Sequence, residues 1–358
     1  MKKILLFISF LLIIILSVTS CVNDNDENSS IAYFWPTSTP EEQGLNAAKI
    51  NNGFSAAAEK GYIYGIVVIR HGKLAAEKYF NGRSAGSYQT VRSVSKSFLS
   101  ALIGIAIDKG MICLDQKIKD FFPEYEDFND QRIYDITIEQ LITMRAGFKG
   151  DEEFYFTFYQ SSDWVKTILY STLDFTPGSK MQYSTAGSHL TAVILSKAVN
   201  MNLMEFGEKY LFGPAGITIS DWRQDPQGNY FGGNDMEFTV SDMAALGYLY
   251  LNNGKFNGEQ IIPEDWVNKS TVSYSGSSSG SWGSLSKYGY GYFWWTGEVS
   301  GHKIFTALGH GGQYVLCVPD LDMIIALQSN PNVDWDQADI QERSALDIIA
   351  GYFIPSAN

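Results

Sequence analysis

The sequence predicts an α+β fold in which helices flank an antiparallel sheet and a mainly helical domain is inserted into the sheet domain. Apolar or alternating runs that are typical of strands occur near the start of the chain and again near its end. Between them, from Leu114 to about Trp222, the segments have helical patterns, which places the inserted domain at about residues 114–230. With 358 residues and 45% hydrophobic composition, the chain is long enough to build a large core.

The first two strands are predicted on either side of a tight turn. Gly65–Ile69 is an apolar run, Leu74–Phe80 alternates, and Arg70-His71-Gly72-Lys73 lies between them. Two such runs joined by a short, glycine-containing turn are typical of an antiparallel hairpin. The sheet is predicted to continue near the end of the chain with four strands, Gly289–Thr296, Lys303–Ala307, Tyr314–Val318 and Met323–Gln328.

Two helices are predicted with particular features. Ser93–Lys109 is apolar almost all round, which is typical of a helix that is buried on every side. Thr239–Asn253 begins at a capping residue, either Thr239 or Ser241, and ends before Gly254. The other predicted helices are Ile138–Met144, His189–Val199 and Gln341–Ile354.

The N-terminus has the pattern of a secretory signal. Lys2 and Lys3 precede an apolar stretch from Ile4 to Val18, which leads through small residues to Cys21. A membrane-spanning helix needs about 20 apolar residues, and this stretch is shorter. The segment resembles a bacterial lipoprotein signal, which implies that residues 1–20 are removed and that Cys21 is acylated.

A lipid anchor on Cys21 implies a location in the bacterial cell envelope. Each methylene of an acyl chain contributes about 0.8 kcal/mol when it is buried in a membrane, so several chains hold a protein there. Val22–Ser30 is polar and acidic, and residues 21–39 are therefore predicted to be the lipidated cysteine and a flexible tether. The periplasmic and the outer membrane face both stay open.

Charge and residue spacing exclude two kinds of partner. The 26 Lys and Arg residues face 39 Asp and Glu, for a net charge of −13, and there is no basic run, so nucleic acid is not expected as a partner. The four histidines are not spaced as metal ligands, so no metal site is predicted. They are His71, His189, His302 and His310. Cys113 and Cys317 have apolar neighbours and are predicted to be buried free thiols, with one disulfide between them left open.

Ser93-Val94-Ser95-Lys96 stands where a loop enters the buried helix. A spacing of three places the side chains of Ser93 and Lys96 on one helical face, where a nucleophile and a base can meet. Lysine can act as a base only if its pKa falls from about 10.4, and an apolar environment has that effect. The alternative is a serine that merely caps a helix, which is the commoner role of such a pattern.

Two further segments carry groups that such chemistry needs. Tyr183 follows the turn at Pro177-Gly178, and a tyrosine close to a lysine ammonium can accept the serine proton and later donate it to a leaving group. The alternative is a tyrosine with its ring packed and its hydroxyl at the surface. Gly309–Gln313 has the sequence GHGGQ, in which glycines let the backbone approach a ligand, so the Gln313 N–H is a candidate oxyanion donor.

In order and context these segments resemble the serine β-lactamase-like hydrolases, especially class C β-lactamases, their esterase relatives and 6-aminohexanoate-dimer hydrolases. The likeness covers about residues 40–355, and residues 40–358 are predicted to form one hydrolase domain. Four more motifs support it, namely Ile136–Gly147, Tyr183-Ser184-Thr185, Gly232-Gly233 with Phe238–Ala244, and Tyr288–Tyr292.

The resemblance implies a role for each matched residue. Ser93 is the acylated nucleophile, Lys96 its base partner and Tyr183 the proton shuttle. The backbone amides of Ser93 and Gln313 form the oxyanion hole, and the chemistry needs neither a metal nor an organic cofactor.

The departures from the family pattern concern the substrate. Thr185 stands where the family has an asparagine whose amide contacts the substrate. His310-Gly311-Gly312 replaces the Lys-Thr-Gly of true β-lactamases, so a mostly neutral imidazole stands where a cation helps to hold the β-lactam carboxylate. These four residues are predicted to contact substrate, and efficient β-lactam hydrolysis is not expected.

An aromatic segment, Asp151–Tyr159, joins acidic residues to a cluster of rings. Tyr155 and Tyr159 are predicted to form part of a lid over the acyl pocket, with core packing as the alternative. The carboxylates of this segment are predicted to lie on a solvated face.

These inferences lead to one predicted function and two alternatives. The prediction is hydrolysis of a small ester, amide or peptide substrate through an acyl-Ser93 intermediate. The first alternative shares the chemistry and differs in substrate, as a penicillin-binding-protein-like D-amino-acid peptidase or a β-lactamase. The second is a non-catalytic cell-envelope sensor of the same fold.

Overall fold

The structure, a computed structural model, describes residues 35–357. The predicted signal peptide, the Cys21 lipidation site and most of the predicted tether lie outside these residues. The predicted tether range of 21–39 extends too far, because the chain from Trp35 onward belongs to the folded domain. The Trp35 ring is buried and its Nε1 donates to Ser241 Oγ across 2.9 Å. Thr37 also forms a bridge with Leu74. The folded domain therefore includes Trp35, whose large ring is buried.

The fold is α+β, as the sequence predicts, with an eight-stranded sheet and two small sheets of three and two strands in the described residues. The strands are β1 (Ile63–Arg70), β2 (Lys73–Tyr79), β3 (Gln89–Thr90), β4 (Asp221–Trp222), β5 (Met236–Phe238), β6 (Lys255–Phe256), β7 (Glu259–Gln260), β8 (Ser281–Trp282), β9 (Leu285–Tyr290), β10 (Trp295–Val299), β11 (His302–Gly309), β12 (Gln313–Val318) and β13 (Met323–Ser329).

The large sheet joins the two ends of the folded domain. Its order is β2-β1-β13-β12-β11-β10-β9-β8, and every neighbouring pair is antiparallel. The predicted hairpin is confirmed, because Arg70 pairs with Lys73 across a two-residue turn. His71 and Gly72 have φ angles of 50° and 69°, and positive values at both central positions fit the twist of the flanking strands.

Helices cover both faces of this sheet. The helices are α1 (Ala47–Lys60), α2 (Ser95–Asp108), α3 (Ile118–Phe121), α4 (Ile138–Ile142), α5 (Asp151–Tyr159), α6 (Trp164–Leu169), α7 (Thr185–Val199), α8 (Leu203–Gly207), α9 (Gly213–Ala215), α10 (Val240–Leu251), α11 (Glu264–Ser270) and α12 (Trp335–Ile348). Helices α3 to α9 all come from the range in which the sequence predicts an inserted helical domain.

Alternation along the central strands separates two hydrophobic cores. Val67 and Ile69 of β1 belong to the core that includes α2 and α10, whereas Ile66 and Val68 belong to the core that includes α1 and α12. Because successive side chains of a strand point to opposite faces, one strand contributes to both cores. The same arrangement holds α2, and with it Ser93, against one face of the sheet.

The predicted strand Gly289–Thr296 is wrong as a single element. β9 ends at Tyr290 and β10 begins at Trp295, and the four residues between them turn the chain. There the Tyr292 N–H donates to the Ser270 carbonyl and the Phe293 N–H to the Ile142 carbonyl, both across 3.0 Å. The strand ends because these backbone groups bond to helical segments instead of to a neighbouring strand.

Helix boundaries differ from the sequence predictions in several places, and α7 begins at Thr185 and not at His189. α2 begins at Ser95, so Ser93 lies in the 3-10 turn before it. α10 is capped by Thr239 and not by Ser241, since the Thr239 side chain accepts from the Asp242 N–H. α12 begins at Trp335, earlier than predicted, because Asp334 caps a first turn that is mostly polar.

The two cysteines of the described residues are both free, and Cys113 is exposed, which corrects the prediction that it is buried. Its neighbour Ile112 takes the core position instead. Cys317 is buried, as predicted. Between residues 35 and 357, no helix has the length and apolar character to cross a bilayer. Over the same range, no group of three or more His, Cys, Asp or Glu side chains could hold a metal ion.

Candidate active site

Ser93 lies at the tip of a strained turn that leads into α2. Arg92, the residue before it, has a φ angle of 50°, in the left-handed region that costs a side-chain-bearing residue about 1 kcal/mol. The Arg92 guanidinium holds this turn by donating to the Asp235 carboxylate across 3.3 Å and to the Pro331 carbonyl across 2.8 Å. Because these contacts come from both sides, the position of the Ser93 side chain is fixed by distant parts of the chain.

Lys96 is almost completely buried, with 1% of its surface exposed, and its Nζ lies 2.8 Å from Ser93 Oγ. The same nitrogen lies 2.6 Å from the Gly233 carbonyl oxygen and 3.1 Å from Thr185 Oγ1. Burial lowers the pKa of Lys96 to about 8, although the Asp151 and Asp235 carboxylates oppose this shift. A substantial fraction of Lys96 is therefore neutral near physiological pH, as a base for Ser93 requires.

Gly233 stands at a close approach that no side chain could share. A Cβ atom placed there would lie 2.4 Å from Thr185 Cγ2 and 3.3 Å from Lys96 Nζ. The absence of a side chain lets the Gly233 carbonyl reach the lysine directly.

Tyr183 completes the group that the sequence predicts to act together. Its ring centroid lies 5.0 Å from Lys96 Nζ, and both Tyr183 and Ser93 line the same cleft. The ring stacks on Trp295 at 5.9 Å and meets the edge of Tyr290 at the same distance. Burial raises the pKa of Tyr183, and the Asp151 charge raises it further. The phenol is thus held in its protonated form, whereas the sequence argument has it pushed towards phenolate by the lysine.

Asp151 is the functional candidate that sequence reasoning missed. It is predicted to be solvated, but its carboxylate accepts from the Thr185 N–H across 2.6 Å and from the Thr185 hydroxyl across 2.5 Å. Burial raises the pKa of Asp151, while the charge of Lys96 and the contacts with Thr185 oppose the rise. Asp151 and Thr185 lie 34 positions apart, and no short motif links two residues at such a separation.

The glycine-rich loop lies beside the nucleophile, because β11 and β12 both contact the turn Arg92–Val94. Gly311 and Gly312 have φ angles of 79° and 93°, which only glycine adopts readily. The Gln313 side chain is buried and donates to the Ser329 carbonyl across 2.9 Å. The loop is thus rigid on its buried side, and the oxyanion role of the Gln313 amide stays a prediction.

Glu342 of α12 supports this loop from the other side. Its carboxylate accepts from the Gly311 N–H across 3.0 Å. Burial raises the pKa of Glu342 to about 7, and the hydrogen bond from Gly311 opposes the rise. No local sequence motif marks Glu342, because it lies on a helix 31 positions along the chain from the glycine it contacts.

His310 lies in the wall of the cleft. Its Nε2 is 2.9 Å from the Val333 carbonyl oxygen, and its ring meets the edge of Trp335 at 5.0 Å. Burial lowers the pKa of His310, so the imidazole is neutral at physiological pH. The lysine that true β-lactamases have at this position is absent here, and a charged histidine does not take its place.

The candidate site opens into a cleft of about 650 Å³. The predicted residues Ser93, Tyr183, Thr185, Tyr155, Tyr159 and His310 all line it. Its other lining residues include five carboxylates and one cation, namely Asp151, Glu152, Glu153, Asp334, Glu342 and Arg92. The cleft is therefore acidic, and its single cation is already bonded to Asp235.

Helix α5 contributes both to this cleft and to the core. Phe154 and Phe158 are buried, whereas Tyr155 lines the cleft and stacks on Tyr159 at 5.2 Å. Phe156 also lines the cleft and is 54% exposed. Core packing thus describes Phe154 and Phe158, whereas the lid role of Tyr155 and Tyr159 stays a prediction.

Sequence comparisons relate the chain to one family of known proteins. The sequence profile of the Beta-lactamase family matches residues 54–347. The 6-aminohexanoate-dimer hydrolase of Paenarthrobacter ureafaciens is 25% identical over 296 residues, which are 75% of this chain and 73% of that protein.

Two solved structures share the fold. A penicillin-binding protein homologue from Pyrococcus abyssi has a TM-score of 0.67 at 18% identity, over 87% of this chain and 78% of that one. EstCE1, a hydrolase with promiscuous acyltransferase activity, has a TM-score of 0.70 at 16% identity, over 87% of this chain and 100% of that one. The β-lactamase/transpeptidase-like fold predicted from the sequence is confirmed.

Proposed function

The chain belongs to the beta-lactamase family, and from that premise we propose that it is a serine hydrolase which cleaves a small ester or amide through an acyl-Ser93 intermediate. One observation carries the proposal: Lys96 Nζ, buried and with its pKa lowered to about 8, lies 2.8 Å from Ser93 Oγ. A serine hydroxyl attacks a carbonyl only when a base removes its proton, and this lysine supplies the base.

Acylation follows from the protonation states of the two neighbours of Ser93. Neutral Lys96 accepts the hydroxyl proton while Ser93 Oγ forms a bond to the substrate carbonyl carbon. Protonated Tyr183 donates its proton to the leaving alcohol or amine as the carbon–heteroatom bond breaks. The proton on Lys96 then restores the phenol, since Lys96 Nζ lies 5.0 Å from the Tyr183 ring centroid.

Deacylation repeats these transfers with water as the nucleophile. Water attacks the acyl carbon, its proton passes to the Tyr183–Lys96 pair, and Ser93 leaves with a proton returned to Oγ. In both steps the backbone amides of Ser93 and Gln313 are proposed to stabilise the oxyanion. The support for the Gln313 amide is that β12, which begins at Gln313, contacts the turn that carries Ser93.

The charges of the cleft favour a substrate without a carboxylate. Arg92 is the single cation among the lining residues, and it is bonded to Asp235 and to the Pro331 carbonyl. His310 is neutral because burial lowers its pKa. A β-lactam carboxylate would therefore meet an acidic lining whose one cation, Arg92, is already paired, and a neutral or cationic ester or amide is the better fit.

Labelling with two probes tests the proposal. The protein is incubated with a fluorophosphonate and, separately, with a fluorescent penicillin, and the adduct is located by mass spectrometry. We expect the fluorophosphonate to label Ser93, and Ser93→Ala to lose labelling and ester hydrolysis by at least about 10³-fold. The matched control Ser55→Ala, an exposed serine of α1, should label normally.

Each other result of the labelling has a definite meaning. Stoichiometric labelling by the penicillin as well would favour a penicillin-interactive peptidase or β-lactamase. Folded protein that neither probe labels would overturn the proposal in favour of a non-catalytic binding protein.

Membrane attachment through Cys21 stays a prediction, because the residues that carry it lie outside those the structure describes. Incorporation of radioactive palmitate into the full-length chain, and its loss in Cys21→Ser, would support a lipid anchor. A chain that incorporates no label and is recovered free of the membrane would contradict it.

A further inference from the structure

The first turn of α5 contacts the first turn of α7 through one side chain. Asp151 of α5 accepts two hydrogen bonds from Thr185 of α7, one from the backbone N–H and one from the hydroxyl. Both are short, at 2.6 and 2.5 Å, as is usual when the acceptor is ionised. The Asp151 side chain is half-buried and lines the cleft, and the Thr185 hydroxyl contacts both its carboxylate and Lys96 Nζ.

The direction of the Thr185 hydroxyl follows from this contact. A hydroxyl has one proton to donate, and here that proton points at Asp151. Its lone pairs therefore face Lys96 Nζ, which lies 3.1 Å away. Without the carboxylate the hydroxyl could turn its proton towards the lysine and compete with Ser93 for the lone pair of the neutral amine.

Two carboxylates act on Lys96, and the charge of Asp151 is less compensated by neighbouring cations than the charge of Asp235. The other, Asp235, forms ion pairs with Arg92 at 3.3 Å and with Arg223 at 3.9 Å. Within residues 35–357, no Lys, Arg or His nitrogen lies within ion-pair distance of the Asp151 carboxylate. Its electrostatic partner is thus Lys96 itself, at longer range.

We propose that Asp151 is a positioning residue for the hydrolytic centre: it fixes the Thr185 hydroxyl as an acceptor for Lys96 and stabilises the lysine's positive charge once the proton of Ser93 has been taken up. The proposal rests on the proposed function, because it assigns Asp151 a task in the same acyl transfer.

A purely structural role is the competing explanation. α7 has no cap from its own N-cap residue, Ser184, and Asp151 satisfies the free Thr185 N–H in its place. A helix cap contributes about 1 kcal/mol to stability whatever the chemistry nearby. The experiment therefore needs a readout that capping alone does not move, and the pH dependence of the reaction provides one.

Asp151→Asn is the informative variant, since it keeps an oxygen for the Thr185 N–H and removes the charge. The groups that face Lys96 are the Asp151 and Asp235 carboxylates, the Tyr183 phenol and the Ser93 hydroxyl. Loss of one negative charge favours the neutral amine, so the acid limb of kcat/KM should move to lower pH by about one unit. Lost positioning should lower kcat by at least about tenfold and leave KM nearly unchanged.

Two further sets of variants separate the contributions. Thr185→Ser keeps the hydroxyl and should retain the wild-type pH profile, whereas Thr185→Val should lose activity. Adding Asp151→Asn to Thr185→Val should then lower kcat little further, because the carboxylate positions Lys96 through the hydroxyl, but it should still move the acid limb, because the charge acts on Lys96 directly. Asp163→Asn is the matched control: Asp163 caps α6 by accepting from the Lys166 N–H, and asparagine keeps that oxygen and removes a charge outside the cleft, so the pH profile should stay unchanged.

The outcomes decide between the explanations. Folded Asp151→Asn with an unshifted acid limb, or with activity that falls only in step with Tm, would overturn the proposal. A direct measurement does not depend on hydrolysis: the Lys96 pKa is followed by NMR with isotope-labelled lysine, assigned through Lys96→Met. A lower pKa in Asp151→Asn supports the proposal, and an unchanged one rejects it. Failure of wild-type protein to label at Ser93 would instead overturn the proposed function.

Discussion

Lys96 Nζ lies 2.8 Å from Ser93 Oγ, although the lysine side chain is buried and makes no ion pair within 4.0 Å among residues 35–357. Burying the charged form of Lys96 costs free energy, and this cost lowers the pKa of Lys96 to about 8. The proximity of the two side chains follows from their spacing of three along the chain. The lowered pKa follows from the core in which α2 is embedded.

The first prediction concerns the pH dependence of acylation. A lysine base is active when neutral, so kcat/KM for a p-nitrophenyl ester should rise with pH through a midpoint near 8. Lys96→Arg, which keeps the charge at every accessible pH, should be inactive throughout. A midpoint near the ordinary pKa of histidine, about 6.5, would contradict the assignment of Lys96 as the base.

The second prediction concerns the leaving group. Because the pKa of Tyr183 is raised, the phenol carries a proton that it can donate. Tyr183→Phe should lower kcat/KM by about 10²-fold for an alkyl ester or an amide, whose leaving group needs that proton. The loss should be within about tenfold for a p-nitrophenyl ester, which leaves without one. Equal losses for both substrates, or a similar pattern in the control Tyr290→Phe, would argue against this role.

The third prediction concerns stability and Glu342. Its pKa is raised from 4.5 to about 7, so the folded protein binds the extra proton and the free energy of unfolding falls as pH rises between these values. Glu342→Gln has no charge to bury. Above about pH 7 it should exceed the wild-type free energy of unfolding by up to about 3 kcal/mol, and below about pH 4 it should not. Urea denaturation across this range measures the difference, and Glu59→Gln, an exposed site on α1, should show none.

The fourth prediction concerns substrate selection by α5. Tyr155 and Tyr159 stack on each other beside the cleft, and the Asn234 side chain donates to the Tyr155 hydroxyl across 3.3 Å. Tyr155→Ala and Tyr159→Ala should change the ratio of kcat/KM between short-chain and aromatic esters by at least about tenfold. Tyr170→Ala removes a half-buried tyrosine outside the cleft and should not. An unchanged ratio in the first two variants would reject the lid hypothesis.

The parts of the fold that sequence predicts are those set by local patterns. The His71-Gly72 turn and the alternation of its flanking runs fix a hairpin, because turn and strand preferences act over a few residues. The proximity of Ser93 and Lys96 has the same local origin. The break between Tyr290 and Trp295 does not, because it depends on carbonyls of Ser270 and Ile142.

The parts of the candidate site that sequence misses are those set by contacts between distant segments. Asp151 looks like one carboxylate of an acidic helix start, which is ordinarily solvated. Its burial depends on how α5 packs on α7, and its partner lies 34 positions away. Glu342 is hidden in the same manner, since a polar helix near the chain end carries no sign of which loop it will meet.

The separate origin of the nucleophile and of its surroundings has a consequence for how such an enzyme could diversify. Lys96 lies on α2 and Ser93 in the turn before it, whereas Asp151, Tyr155 and Tyr183 come from the segments between α4 and α7. Changes in those segments could retune both the accepted acyl group and the operating pH while the attacking oxygen stays in place. One part of the fold thus holds the nucleophile in place, whereas another part can change and admit new substrates.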